Sequence, residues 1–287
     1  MSEYLEKSLK EGVTLDRVVP ISTKSYQELA IEMLRTEKSP AIKTGFAELD
    51  DLFGGFENGR LYVLSAPTKS GKTTFAQTIM YRMAKNKQPS LFFSYEMGNN
   101  EVVEKFYDMD RSECPIAPTD LPLFMPIDLH RQGGELQYLW MFEAIAKAKR
   151  ERGIKLVVID HLHFLLPLRD FKNTSFIIGG IVREIKRMAV LLEIPIILIC
   201  HIAKIKDNKV PDWTDIRDSS FITQEADVVF MLYRCTNAEA PKKTSESSTV
   251  ATFTNEAIFS VELDRVRGKS GKLKLFHNGV MFEKSYI

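Results

Sequence analysis

Residues 66–73 read Ala-Pro-Thr-Lys-Ser-Gly-Lys-Thr, a phosphate-loop pattern in which Ala66 stands where the first glycine usually does. The apolar run Leu61 to Leu64 enters this loop, and a helical pattern carrying Phe75, Ile79, Met80 and Met83 leaves it. A strand, loop and helix in this order commit the chain to an α/β architecture. Backbone N–H groups of the loop and of the helix N-terminus must converge on phosphate oxygens. Gly71 lets the backbone approach closely. Lys72 places a cation between the β and γ groups, and Thr73 offers a hydroxyl to Mg²⁺. Ala66, Pro67, Thr68, Lys69, Ser70, Gly71, Lys72, Thr73 and Thr74 are therefore the candidate nucleotide-binding residues.

The rest of the pattern agrees. Strands are expected over Ser90–Ser94, Leu156–Ile159, Ile196–Cys200 and Asp227–Tyr233, with helices over Leu136–Arg150 and Ile177–Leu192. The run Leu156 to Ile159 is wholly apolar, as in a parallel sheet covered on both faces. Towards the end, Ile258–Leu263, Lys272–Phe276 and Val280–Glu283 read as short antiparallel strands, with turns at Gly268, Gly271 and Asn278-Gly279. The polar stretch Thr236–Thr254 between them reads as a mobile loop. Asp160 closes the third strand at the sheet edge where an acidic residue reaches the Mg²⁺ shell. Thr73 and Asp160 are thus the candidate metal ligands. Glu96 follows the second strand. It is placed either to accept the proton of an attacking water or, on spacing alone, to open the helix near Asn99.

Composition narrows the class. The 39 basic residues against 38 acidic ones leave a net charge of +1, so a polyanion partner would be held by a local patch. Three widely spaced cysteines, Cys114, Cys200 and Cys235, fit neither a disulfide framework nor a zinc ribbon and suit a reducing cytosol. No apolar run has the length of a membrane span and the N-terminus is not a signal peptide, so a cytoplasmic protein without a membrane partner is expected. His161 and His163 are not expected to hold a metal, since nothing completes a ligand set. Before the core, Ser25 and Glu28 have the spacing of a capping box, and Tyr26, Leu29, Ala30, Met33 and Leu34 share one helix face. Residues 1–43 are read as a tether with this amphipathic linker helix, ended at Lys38-Ser39-Pro40, and residues 44–287 as one ATPase-type domain. The helix would pack on its own chain or dock on a neighbouring subunit.

Several motifs in order resemble the hexameric replicative helicases, the bacterial DnaB type and its mitochondrial relative Twinkle. They are Thr44-Gly45-Phe46 through Leu49-Asp50, Gly54-Gly55-Phe56 with Gly59, the loop beginning at Ala66, Phe93-Ser94-Tyr95-Glu96-Met97, and Asp160-His161-Leu162-His163. Asp215-Ile216-Arg217-Asp218-Ser219, Gln224-Glu225-Ala226-Asp227 and Arg265-Val266-Arg267-Gly268 complete the set, which spans about Thr44 to Phe282. His163 replaces the family's usual glutamine, and Ser220 stands where the family has glycine. The resemblance implies a RecA-like phosphate-loop NTPase fold, a mainly parallel sheet flanked by helices with C-terminal antiparallel strands. It also implies a ring, expected to be hexameric, that uses ATP or another NTP or dNTP with Mg²⁺, translocates 5′ to 3′ on single-stranded DNA and serves DNA replication.

Site residues follow from the same resemblance. Glu96 becomes the catalytic carboxylate. Arg267 becomes an arginine finger supplied by the next subunit, with Arg265 a second cation near the γ-phosphate, the alternative being solvated hairpin arginines. His201, where the Twinkle branch carries histidine, is a γ-phosphate sensor or a buried structural histidine. Arg217, Asp218 and Ser219, with Lys204, are candidate DNA contacts. Lys206, Lys209, Arg169 and Lys172 lie in further loops after the same sheet edge, unless these basic loops are plain solvated surface. A ring would multiply such a patch. A primase, polymerase or loader are candidate partners. The short N-terminus suggests either a minimal phage or plasmid-type helicase or a fragment of a longer protein, the Met1 start favouring the former, in a bacterial host cytoplasm, with an organellar setting also open. Two rivals remain: a RadA-like or clock-protein-like ATPase forming rings or filaments without unwinding, and a kinase, for which no acceptor-binding lid is found.

Overall fold

The computed structural model describes residues 24–35, 39–113, 120–126, 135–165, 174–202, 211–216, 219–237 and 252–285. Contacts divide the chain into a unit up to Pro40 and a unit from Ala41 onward. In the first, helix α1 (Tyr26–Arg35) opens on the expected capping box. Ser25 Oγ accepts the Glu28 N–H at 3.2 Å, and Glu28 Oε2 accepts the Ser25 N–H at 2.6 Å.

The second unit is built on one nine-stranded sheet. Its strands are β1 (Leu61–Ala66), β2 (Ser90–Ser94), β3 (Leu123–Phe124), β4 (Leu156–Asp160), β5 (Ile196–His201), β6 (Val228–Asn237), β7 (Thr252–Asp264), β8 (Gly271–His277) and β9 (Phe282–Lys284). They lie in the order β3-β2-β4-β5-β1-β6-β7-β8-β9. From β3 to β6 every pairing is parallel, and β6 to β9 pair antiparallel. Strands β1, β2 and β4 are buried at every residue, while β8 alternates, in keeping with a sheet covered on both faces only in its parallel part.

The helices are α2 (Ala47–Phe53), α3 (Lys72–Lys85), α4 (Asn99–Glu113), α5 (Glu135–Arg152), α6 (Thr174–Leu191) and α7 (Ser219–Glu225), with single 3₁₀ turns at Leu162–Leu165 and Trp213–Asp215. The pleat divides the core. Tyr62, Leu64, Phe92 and Val158 face one side with α2, α3 and α4; Leu61, Val63, Phe93 and Val157 face the other with α5 and α6. On the first side Phe53, Phe56, Tyr62, Phe75, Phe230, Phe259 and Phe282 form a chain of ring contacts 4.8–6.1 Å apart. That cluster fastens the antiparallel extension to the phosphate-loop helix.

The expected strands and helices all form, Ser90–Ser94 with the expected ends and the others with ends shifted outward or inward by one to several residues, the last strand starting at Phe282 rather than Val280. The largest change is β7, which begins at Thr252 rather than Ile258, and Gly271 is the first residue of β8 rather than a turn. Helix α2, the two-residue β3, α7 and the 3₁₀ turns were not foreseen. Residues 238–251, the centre of the proposed mobile loop, lie outside the described residues. Among the described residues no helix is long and apolar enough to cross a membrane.

Candidate active site

The strand order brings four loops to one sheet edge. β2, β4, β5 and β1 are neighbours, with Ser94 opposite Asp160 and Ala66 opposite His201 in register. All four strands end on the same side because they are parallel, which is where α/β sheets bind ligands.

At the end of β1 the chain turns through the loop into α3. Ser70 N–H donates to the Pro67 carbonyl at 3.1 Å, and Lys69 takes a positive φ of 66°. Gly71 lies just before α3 at φ 86°, and a β-carbon there would meet the Phe282 ring at 2.9 Å. Both facts require glycine. Lys72 is buried at the first position of the helix. The sequence-based assignment of Ala66 through Thr74 thus falls on one continuous strand–loop–helix junction.

Thr73 Oγ1 donates to Asp160 Oδ2 at 2.6 Å, joining the loop to the end of β4. Asp160 is fully buried, and its Oδ1 has no hydrogen-bond partner among the described residues. Burial pushes its carboxyl up to about 6, the Thr73 hydrogen bond opposing and Glu96 adding to the rise. An orphaned buried carboxylate oxygen beside a threonine hydroxyl fits a hard divalent cation such as Mg²⁺.

Glu96 sits in the turn after β2. Ser94 Oγ fixes that turn by donating to the Met97 carbonyl at 2.9 Å, and Tyr95 N–H donates to the Asp160 carbonyl at 2.7 Å. The Glu96 side chain is 46% exposed, yet its Oε2 lies 3.1 Å from His161 Nδ1. His161 in turn meets the His201 ring edge-on, centroids 4.1 Å apart, and His163 is 5.8 Å and 5.7 Å from these two rings. Burial lowers His161 and His201 to about 4, with Lys72 adding to the effect, so both rings are neutral at neutral pH. The expectation that nothing completes a ligand set around His161 is corrected by this geometry. Glu96, His161 and His201 each offer a donor atom, all within 4.8 Å of one another. The partners stand at the ends of three strands far apart in sequence, and only the sheet order would have revealed them.

The two hairpin arginines follow β7. Asp264 Oδ1 accepts the N–H groups of Val266 and Arg267, each at 2.9 Å, shaping the turn that carries them. Arg267 donates to Glu57 Oε1 at 2.8 Å. Arg265 donates to the carbonyls of Thr223 and Gln224 at 2.7 and 2.9 Å, a cation at the C-terminal end of α7. Within one chain both guanidiniums are therefore engaged away from the loop residues that would hold phosphate. Lys204, Arg217 and Asp218, with the side chain of Ser219, lie outside the described residues, as do Lys206, Lys209, Arg169 and Lys172.

A mostly parallel sheet, a Gly-Lys-Thr loop after β1 and an acidic end to β4 define a RecA-type phosphate-loop domain. The profile of the DnaB-like helicase C terminal domain family matches residues 41–114 and 126–283. The chain belongs to that family. It is 28% identical over 242 residues to the replicative DNA helicase DnaB of Treponema pallidum, covering 78% of this chain and 53% of the relative. To the replicative DNA helicase DnaC of Bacillus subtilis it is 30% identical over 229 residues, covering 71% of this chain and 50% of the relative. The chain thus spans about half the length of the curated relatives it matches. Two solved structures share the fold. One, of a DnaB-like replicative helicase described with its interactions with primase, has a TM-score of 0.69 at 20% identity, over 98% of this chain and 71% of that one. The other, the ATPase domain of G40P, has a TM-score of 0.69 at 21% identity, over 92% of this chain and all of that one.

Proposed function

We propose that this chain is the motor domain of an NTP-driven replicative DNA helicase, working as a ring, hexameric in the family pattern, on single-stranded DNA. Residues 44–287 form the motor and residues 1–43 a tether that carries the helix α1. The observation that carries the reading is the Thr73–Asp160 hydrogen bond, which couples a phosphate loop to an acidic strand end beside Glu96. The loop amides and Lys72 bind the phosphates of ATP or another NTP. Thr73 and Asp160 would hold Mg²⁺, which when bound supplies charge neutralisation on the phosphates. Glu96 accepts the proton of the attacking water, with His201 at the γ-phosphate end of the edge.

Arg267 and Arg265 complete the pocket of the adjacent subunit, so each catalytic site needs two copies. Lys204 and Arg217, with neighbouring backbone N–H groups in the Arg217-Asp218-Ser219 loop, hold DNA phosphates in the channel, and opening and closing of the subunit interface moves them. Movement is 5′ to 3′, with a primase, polymerase or loader as partners in a bacterial or phage-infected cytoplasm. The second reading, a RadA-like or clock-protein-like ATPase without unwinding, has the same catalytic geometry and differs in its DNA loops.

The deciding experiment measures NTP hydrolysis with and without single-stranded DNA, together with mass in solution by light scattering. The helicase reading expects a nucleotide-dependent oligomer and a DNA-stimulated rate. An isolated monomer at full rate, indifferent to DNA, overturns it.

A further inference from the structure

We propose that Glu96, His161 and His201 form a binding site for a divalent ion of the zinc and cobalt class, and that filling it silences hydrolysis by engaging the Glu96 carboxylate. The silencing half rests on the reading of Glu96 as the base; the binding half does not.

The donor set is two imidazoles and one carboxylate, the composition of open zinc sites that keep a fourth position for water. Their donor atoms lie within 4.8 Å of one another. Zinc bonds of about 2.0–2.2 Å put neighbouring tetrahedral donors roughly 3.3–3.5 Å apart. The Glu96–His161 pair is already at 3.1 Å, so closure falls on the separations to His201 and takes a rotation of Glu96 with a small shift of the His201 ring. That adjustment is available because Glu96 is 46% exposed and can rotate in its turn. His161 is buried and packs edge-on against the part-buried His201 ring. Neutral imidazoles need lose no proton to ligate.

The site is chemically distinct from its neighbour. Thr73 and Asp160 offer only hard oxygen donors, which suit Mg²⁺, whereas imidazole favours zinc, cobalt, nickel and copper. His161 Nδ1 is 3.9 Å from Asp160 Oδ1, so the two positions adjoin without sharing a donor. An ion at the triad would take the Glu96 lone pairs that the attacking water needs. No redox change is required, and no bond is made beyond coordination.

The test uses Co²⁺ added to tag-free protein, without nucleotide, in excess Mg²⁺. One equivalent should produce a visible absorption band of tetrahedral type that Zn²⁺ displaces. Glu96→Gln and His201→Asn should each weaken Co²⁺ at least tenfold. Glu96→Gln alters a half-exposed side chain and leaves both rings in place, so it keeps the test alive should the histidine variant not fold. In the unmodified protein, stoichiometric Zn²⁺ should abolish hydrolysis at saturating Mg²⁺. Absence of the band, or saturation unchanged in Glu96→Gln, overturns the site. Binding lost in that variant but with hydrolysis indifferent to Zn²⁺ overturns the silencing half and upholds the site. Undiminished hydrolysis by Glu96→Gln would instead refute the function assigned to Glu96, and the spectroscopic result stands apart from it.

Discussion

The Arg267 guanidinium donates to Glu57 Oε1 at 2.8 Å and fills the place a side chain on Gly54 would occupy, 1.5 Å from a β-carbon built there. Gly54 holds φ 91° as it closes α2, so its conformation and its missing side chain both serve this slot. An arginine that acts on a neighbour's phosphate must first leave Glu57. The pair is about one-third exposed on each side, and such pairs contribute only about 0–1 kcal/mol, so release costs little.

Arg267→Ala should therefore lower kcat by about a thousandfold or more while leaving stability nearly unchanged. Mixing Arg267→Ala with Glu96→Gln subunits should restore part of the rate, since some mixed interfaces regain both groups. Steady-state hydrolysis across mixing ratios reads this directly. A mixture no faster than its components would place the arginine outside any shared pocket.

Gly71→Ala carries two costs. The left-handed backbone opposes a β-carbon, and the Phe282 ring stands 2.9 Å from where that carbon would sit. We expect a loss of about 2 kcal/mol in urea denaturation. Phe282→Leu should itself destabilise by opening a cavity in the aromatic cluster. Combined, the two changes should cost less than their separate losses added together, because the smaller side chain relieves the new contact. Strictly additive losses would show that the ring does not limit the loop.

Asp227 ties three elements together. Its carboxylate accepts the Leu61 N–H at 2.7 Å, Arg60 at 3.1 Å and the Lys186 ammonium at 2.5 Å. Asp227→Ala would leave the buried Leu61 amide without its acceptor and Lys186 with only the Gly59 carbonyl in place of a carboxylate, a loss of about 3 kcal/mol. Asp227→Asn keeps an oxygen for the amide and should recover part of it. Urea midpoints at constant m-value separate the two variants; equal midpoints would show that charge is irrelevant here.

The acidic residue at position 227 shows what the sequence can and cannot convey. Gln224-Glu225-Ala226-Asp227 was identifiable as a motif, and its place before a strand was correct, but its role in capping β1 depends on Arg60 and Lys186 from other elements. Parallel strands were legible because unbroken apolar runs have few other uses. Helix α2 escaped because seven residues are too few for a periodic pattern. Its anchor, Asp50 accepting the Thr44 N–H at 2.8 Å, is a local contact inside a motif that only the family resemblance picks out. For the site, Lys72, Thr73 and Asp160 could be read from the order of loop and strand. The link from Glu96 to His161 and His201 could not, because it follows from β4 lying between β2 and β5. Spacing along the chain carries no trace of that arrangement.

Acid should unfold the nucleotide-free, metal-free protein partly through the same cluster. His161 and His201 titrate at about 4 in the fold, lowered chiefly by burial with Lys72 and His163 adding to it, and near 6.5 once unfolded. Between those values the unfolded chain binds more protons, so their contribution is present above 6.5 and lost as pH falls towards 4. Asp160 works the other way: its carboxyl, raised to about 6 by burial and by Glu96, favours the fold when protonated and opposes it as pH rises from 3.8. Near pH 5 the two imidazoles outweigh the carboxylate by roughly one proton, a slope of about 1.4 kcal/mol per pH unit from these groups. His201→Gln should flatten the measured dependence by about one proton, and Asp160→Asn should steepen it by about one. Urea titrations at a series of pH values through this window give the slopes; variants parallel to the unmodified protein would show that these side chains do not titrate on unfolding.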